Sequence, residues 1–141
     1  MTTENDDTPA ELLRDVIEEF DCSTGTLHRL EGDELRLVEH QGIPDPVVDR
    51  IETIPIGKGM AGIAPERREP VQVCNLQTDD SGVAEPGARV TMMEGSIAAP
   101  IVGSDGALEG TIGVAKPEPY EFTPTECDRL LRSGALVAQQ L

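Results

Sequence analysis

Gly57, Gly59 and Gly62 lie inside Ile54-Pro55-Ile56-Gly57-Lys58-Gly59-Met60-Ala61-Gly62-Ile63-Ala64 and spell G-x-G-x-x-G. This spacing is either a nucleotide cradle or a marker of how the chain turns, and the two imply different proteins. A dinucleotide fingerprint needs a buried parallel strand before the first glycine and a full helix after the last, so that pyrophosphate rests on the helix N-terminus. The run before Gly57 carries Glu52 and Thr53 and is broken by Pro55, which removes a ladder donor. Pro65 and Pro70 leave room for roughly two helical turns after Gly62. Asp79 and Asp80 stand about 20 residues on, where a ribose-binding acid would be, but in a Gly/Pro-rich stretch rather than at a strand end. A phosphate loop is excluded because Lys58 is followed by Gly59, not by Ser or Thr. The glycines therefore read as residues that turn the chain and start a short helix.

The 141 residues suit one domain with one core. The formal charge of −16 disfavours nucleic acid and anionic membranes as partners, since both are bound by clustered Lys and Arg. No apolar run is long enough to span a bilayer, and the polar, acidic start lacks the regions of a secretory signal, so a cytoplasmic protein is expected. Cys22, Cys74 and Cys127 are far apart and form no C-x-x-C, which suggests neither zinc nor a redox pair; each is expected to be a small buried hydrophobe. With no Trp, one Tyr and two Phe, the core must be aliphatic, and no cofactor is expected.

Residues 1–8 read as a disordered acidic tail ahead of a single domain over 9–141. Thr8-Pro9-Ala10-Glu11 is a capping box with proline at the first helical position, and apolar residues at helical spacing predict a helix over 9–20. Thr123-Pro124-Thr125-Glu126 repeats the device before a last helix, in which Gly134 is expected to mark a close helix contact. The two apolar stripes are expected to pack on a sheet and, equally, to join two protomers. Between the ends the pattern is β-rich. Strands over 24–30 and 34–40 flank Glu31-Gly32-Asp33, and strands over 96–102 and 107–116 flank Gly103-Ser104-Asp105-Gly106. Short helical turns are predicted over 44–50 and 60–67, and a short strand over 70–74. Residues 75–95 form a long connection without regular structure, of the kind that is usually functional or disordered. Gly110 and Gly113 suggest close backbone approach or a bulge in the last strand.

This order of elements, with I-P-I-G-K-G-M-A-G-I-A (54–64), P-V-Q-V-C-N-L (70–76), S-I-A-A-P-I-V (96–102) and L-E-G-T-I-G-V-A (108–115), resembles a GAF domain over nearly the whole chain. The resemblance implies an α+β fold in α/β/α layers: a six-stranded antiparallel sheet, terminal helices on one face, and a loop-roofed small-molecule pocket on the other. It implies that sensing is the usual role and that dimerisation through the terminal helices is common. For such a sensor the output is expected to need a partner signalling protein. Three specialised branches can be compared residue by residue. Free methionine-(R)-sulfoxide reductases carry a cysteine after the G-x-G turn, where this chain has Met60-Ala61-Gly62, and another in the long connection, which here has none. Without a nucleophilic thiol their chemistry cannot proceed. Of the Asn-Lys…Phe…Asp-Glu signature of cyclic-nucleotide binders only Asn75 and Asp79-Asp80 match. The cysteine–histidine pair of bilin binders is absent.

No catalytic constellation is legible. The only histidines are His28 and His40, each in a predicted strand. His28 could point into the pocket or onto the helices, because strand parity alone does not fix the face. Asn75 could bond a ligand or close a turn, and Asp79-Asp80-Ser81-Gly82 could hold a cation or be a solvated turn. The expected ligand-binding set is His28, Met60, Asn75, Asp79, Thr91, Met92, Met93 and Ser96. Three functions stay open: a small-molecule sensor, a divergent sulfoxide reductase, and an interaction domain with an empty pocket.

Overall fold

Both capping boxes form. The Thr8 hydroxyl accepts from the Glu11 amide at 3.2 Å and the Glu11 carboxylate accepts from the Thr8 amide at 2.9 Å. Thr123 and Glu126 exchange the same pair at 3.1 and 2.8 Å. Two orphan N–H groups are thereby satisfied at the start of each terminal helix, α1 (Pro9–Glu19) and α4 (Pro124–Ala138). The computed structural model describes residues 8–79, 81–84, 89 and 91–141. The tail ahead of Thr8, Asp80, and Pro86 and Gly87 of the long connection lie outside the described residues.

Between the terminal helices run β1 (Thr24–Glu31), β2 (Glu34–Gln41), α2 (Asp45–Ile51), β3 (Thr53–Pro55), α3 (Gly59–Arg67), β4 (Val71–Val73), β5 (Gly95–Val102) and β6 (Leu108–Lys116). The strands form one six-stranded sheet in the order β3-β2-β1-β6-β5-β4, antiparallel at every step. Glu31 pairs with Glu34 across the first hairpin, and Gly32 turns the chain at φ 68°. β3 is a three-residue strand at the sheet edge, where Pro55 costs no ladder bond that a central strand would need. No α-helix or strand forms among the described residues between β4 and β5.

Helices α1 and α4 cover one face. Leu13, Val16 and Ile17 of α1, its C-cap Phe20, and Leu130 and Val137 of α4 bury against Leu27, Ile97, Ala99, Ile101, Ile112 and Val114. Each fully buried aliphatic side chain here contributes about 1.5–3 kcal/mol. Glu19 and Arg129 tie the two helices with a 2.7 Å ion pair, and the guanidinium lies 5.1 Å from the Phe20 ring centre. Gly134 does not mark a helix–helix contact. A Cβ there would stand 3.4 Å from the Pro100 carbonyl oxygen and from Ile101 Cγ1, in ordinary contact with β5, so the glycine faces the sheet.

One further expectation is corrected. None of the three cysteines is buried: Cys22 and Cys127 are half-buried and Cys74 is exposed, because Cys74 directly follows the short edge strand β4. Lys116, unremarkable in the sequence, is 5% exposed. Its ammonium donates to the carbonyls of Phe20 (2.8 Å) and Asp21 (3.2 Å), at the C-terminal end of α1. The Tyr120 ring lies 4.5 Å below it. A cation at a helix C-terminus complements the orphan carbonyls and the helix dipole.

Candidate functional site

The opposite face of the sheet carries a cavity of about 470 Å³, bounded by α2, the first turn of α3 and the chain between β4 and β5. Alternation in β1 divides the two faces. Gly25 and Leu27 face the helices, while Thr24, Thr26 and His28 line the cavity. In β5 the corresponding lining residues are Ser96 and Ala98, and in β6 Gly113 and Ala115.

The glycine motif builds one end of this cavity. Gly57 and Gly59 adopt φ 92° and 65°, a region that favours glycine. At Gly62 a Cβ would stand 2.5 Å from the Pro55 carbonyl oxygen. The Gly57 amide donates to the Gly62 carbonyl at 2.9 Å, closing the turn on itself. The three glycines thus fold β3 back over the start of α3, and Lys58, Gly59, Met60 and Ala61 reach the cavity wall. The strand before the motif is an edge strand in an antiparallel sheet, so the arrangement is not a dinucleotide cradle.

His28, 1% exposed, is with Thr24 (5%) one of two buried polar residues among the described lining. Its Nε2 lies 2.8 Å from the Ile51 carbonyl oxygen, which joins β1 to the end of α2. Its Nδ1 has no hydrogen-bond partner. Burial lowers the imidazole pKa below its ordinary value, against a smaller opposite effect of the Ile51 carbonyl.

Of the residues expected at a ligand, His28, Met60, Thr91 and Ser96 line the cavity together. The other four do not line it. Asn75 Oδ1 accepts from the Gln77 amide at 3.0 Å and so closes the turn after β4. Asp79 accepts from the Ser81 hydroxyl at 2.9 Å, as in a solvated turn. Met92 stands 75% exposed at φ 63°. Met93 is half-buried, and its carbonyl accepts from the Gln77 side chain at 2.8 Å. Leu76 and Ala84 bring the connection to the cavity in their place. Thr24, Thr26 and Arg50 were missed by sequence reasoning. The two threonines share strand parity with His28, a signal that becomes usable only once the face of one of the three is known.

A family model described as the GAF domain matches residues 5–141. The chain belongs to the GAF family. This GAF domain has no match among curated proteins. Among solved structures, the GAF domain of a phosphoenolpyruvate-protein phosphotransferase from Coxiella burnetii is similar at TM-score 0.76 and 19% identity, over 93% of this chain and 78% of that one. A domain of a putative two-component sensor histidine kinase from Sinorhizobium meliloti is similar at TM-score 0.70 and 15% identity, over 91% and 84%. The free methionine-R-sulfoxide reductase from Neisseria meningitidis, solved with its substrate, is similar at TM-score 0.72 and 21% identity, over 95% and 77%. At these identities the likeness establishes the fold, and the fold is that of a family of sensor and signalling modules.

Proposed function

We propose that this GAF domain is a sensor that binds a small molecule in the cavity between the sheet and helices α2 and α3. The observation that carries the reading is the cavity itself: about 470 Å³ with mostly apolar walls and the polar residues Thr24, Thr26, His28 and Ser96 among its lining on the sheet side. Small-molecule sites have this size and character, with apolar walls and a few placed polar groups. A ligand touching Leu76, Ala84 and Thr91 biases the 75–95 connection toward one arrangement. The same strands carry the change to the terminal helices, because Ile97 and Val114 flank the cavity and also pack in the core under α1 and α4. The output then passes to a partner signalling protein.

Hydrogen exchange with and without a bound compound tests this coupling. Protection of both the 75–95 connection and α1/α4 is expected. Protection limited to the cavity wall removes the signalling half of the proposal. A homodimer through α1 and α4 belongs to the same reading. The apolar stripes of both helices face the sheet, and Leu136, 63% exposed, is the large aliphatic side chain on the outer surface of α4. A monomer mass by light scattering would remove that element.

The reductase likeness supports a second reading, a divergent free methionine sulfoxide reductase. The thiols stand against it. None of the three cysteines lines the cavity, and burial pushes the Cys22 thiol up to about 11, where thiolate is scarce. Turnover of free methionine sulfoxide with a thiol reductant, lost in Cys74→Ser, would favour the enzyme over the sensor.

A further inference from the structure

Strand register lays out the sheet side of the cavity. Thr26 of β1 stands beside Gly113 of β6, which stands beside Ala98 of β5. The next row, about 7 Å along the strands, is Thr24, Ala115 and Ser96. All six line the cavity. The hydroxyls of Thr24, Thr26 and Ser96 make no hydrogen bond among the described residues. Thr24 is 5% exposed. Thr26 and Gly113 are only half-buried, although their strands are flanked on both sides and helices cover the other face. The surface they keep therefore opens into the cavity, and the Thr26 oxygen is not sealed off as His28 Nδ1 is.

Gly113 leaves a notch in this floor. A Cβ there would stand 3.4 Å from Thr26 Oγ1, 3.5 Å from the Ile97 carbonyl oxygen and 3.9 Å from Ala98 Cβ, all ordinary contact distances. A methyl-sized group thus fits over the glycine, next to the free hydroxyl. A molecule that covers this floor takes water from Thr26 and must return a hydrogen bond, or leave a desolvated hydroxyl unpaired. A threonine hydroxyl both donates and accepts, so an alcohol or an amide pairs with it equally well. A charged end does not suit the notch. No Lys, Arg, Asp or Glu of β1, β5 or β6 is among the described lining residues, and an ion buried without a counter-charge is costly. Arg50 of α2 and Lys58 at the start of α3 are exposed, so their charges stay in water. The wall facing the floor is aliphatic, from Val47, Ile51, Ile54 and Leu76.

We propose that the ligand is an uncharged alcohol or primary amide with an aliphatic body, its polar end in the notch over Gly113 and hydrogen-bonded to Thr26. Gly113 then selects the ligand by the side chain it lacks, and Thr26 selects it by the bond it offers. The proposal rests on the small-molecule reading above and adds the chemical class and the two residues that set it.

The test uses the full chain at pH 7 and four compounds of one length: heptan-1-ol, heptanamide, heptanoate and heptylammonium. Binding is followed by amide ¹H–¹⁵N shifts. The alcohol or the amide is expected to bind at millimolar concentration, with both ions at least about tenfold weaker. Thr26→Val keeps the side-chain shape and removes the hydroxyl, and is expected to weaken the neutral ligand about fivefold. Gly113→Ala puts a methyl into the notch at distances the fold tolerates, and is expected to weaken it at least about tenfold while the free protein melts close to wild type. Should either variant fail to fold, the wild type answers alone: the largest shifts on binding are expected at Thr26, Gly113 and their strand neighbours, and largest shifts elsewhere overturn the proposal. Ions that bind as tightly as the neutral compounds, or a neutral compound whose affinity is unchanged in either folded variant, also overturn it. If an ion binds and neither neutral compound does, the proposal falls and the small-molecule reading stands. If none of the four binds, the proposal falls; if a broad metabolite screen is blank as well, both fall.

Discussion

At the scale of single residues, Gly62, Lys116 and His28 each have a role fixed by the few atoms they touch. A methyl group at Gly62 would meet the Pro55 carbonyl oxygen at 2.5 Å, and backbone on both sides cannot yield cheaply. Gly62→Ala is expected to destabilise the domain by about 1–3 kcal/mol in urea denaturation. Lys116→Met removes the donor to two helix-end carbonyls and is expected to cost about 2 kcal/mol in the same measurement. His28 makes stability depend on pH. Above about pH 6.5 the ring is neutral in both folded and unfolded chains and contributes no slope. Below it the unfolded chain takes up a proton that the buried ring refuses, so stability falls as pH drops. Carboxyls held low, such as Glu11 by the Thr8 amide and Glu31 by Arg29, act only at lower pH. The urea midpoint is therefore expected to be flat near pH 7–8, to decline from about pH 6.5 toward 5, and to lose that decline in His28→Gln. Sequence located all three glycines of the motif because a turn needs them there. It did not locate the face of His28 or the burial of Lys116, since both depend on which elements meet across the sheet.

At the scale of elements, local chemistry made the boundaries legible. Thr-Pro-x-Glu starts both terminal helices, as its hydrogen-bonding pattern requires, and Gly32 and Gly106 sit at positive φ in the two hairpin connections. Thr8→Ala and Thr123→Ala are each expected to cost about 1 kcal/mol in thermal or urea unfolding. The connection after β4 was less legible. Polar residues Asn75 and Asp79 looked like ligand contacts but bond within their own turns, and apolar Leu76 and Ala84 reach the cavity instead. Composition marks such a segment as irregular without saying which side chains turn inward. Gly134 is similar: the residue expected to face another helix lies against strand β5.

At the scale of the whole molecule, an acidic domain holds its terminal helices on one face of an antiparallel sheet and a cavity on the other. No helix among the described residues is long and apolar enough to cross a membrane. The fold was legible because element order and turn residues are sequential features. The cavity's lining was only half legible, because it is assembled from β1, α2, α3, β5, β6 and the connection between them. The central claim is that this cavity, and not another surface, takes a small molecule. A thermal-shift screen with small metabolites, run on the wild type and on Ala61→Trp, tests it most directly. Ala61 lies half-buried on the cavity wall, so an indole there fills the space from a helix surface. At least one compound is expected to stabilise the wild type, by roughly 2.7 kcal/mol at about 100 times its Kd, and to lose its effect on a folded Ala61→Trp protein. No shift with any compound at millimolar concentration, or a shift that survives the indole, would contradict the claim.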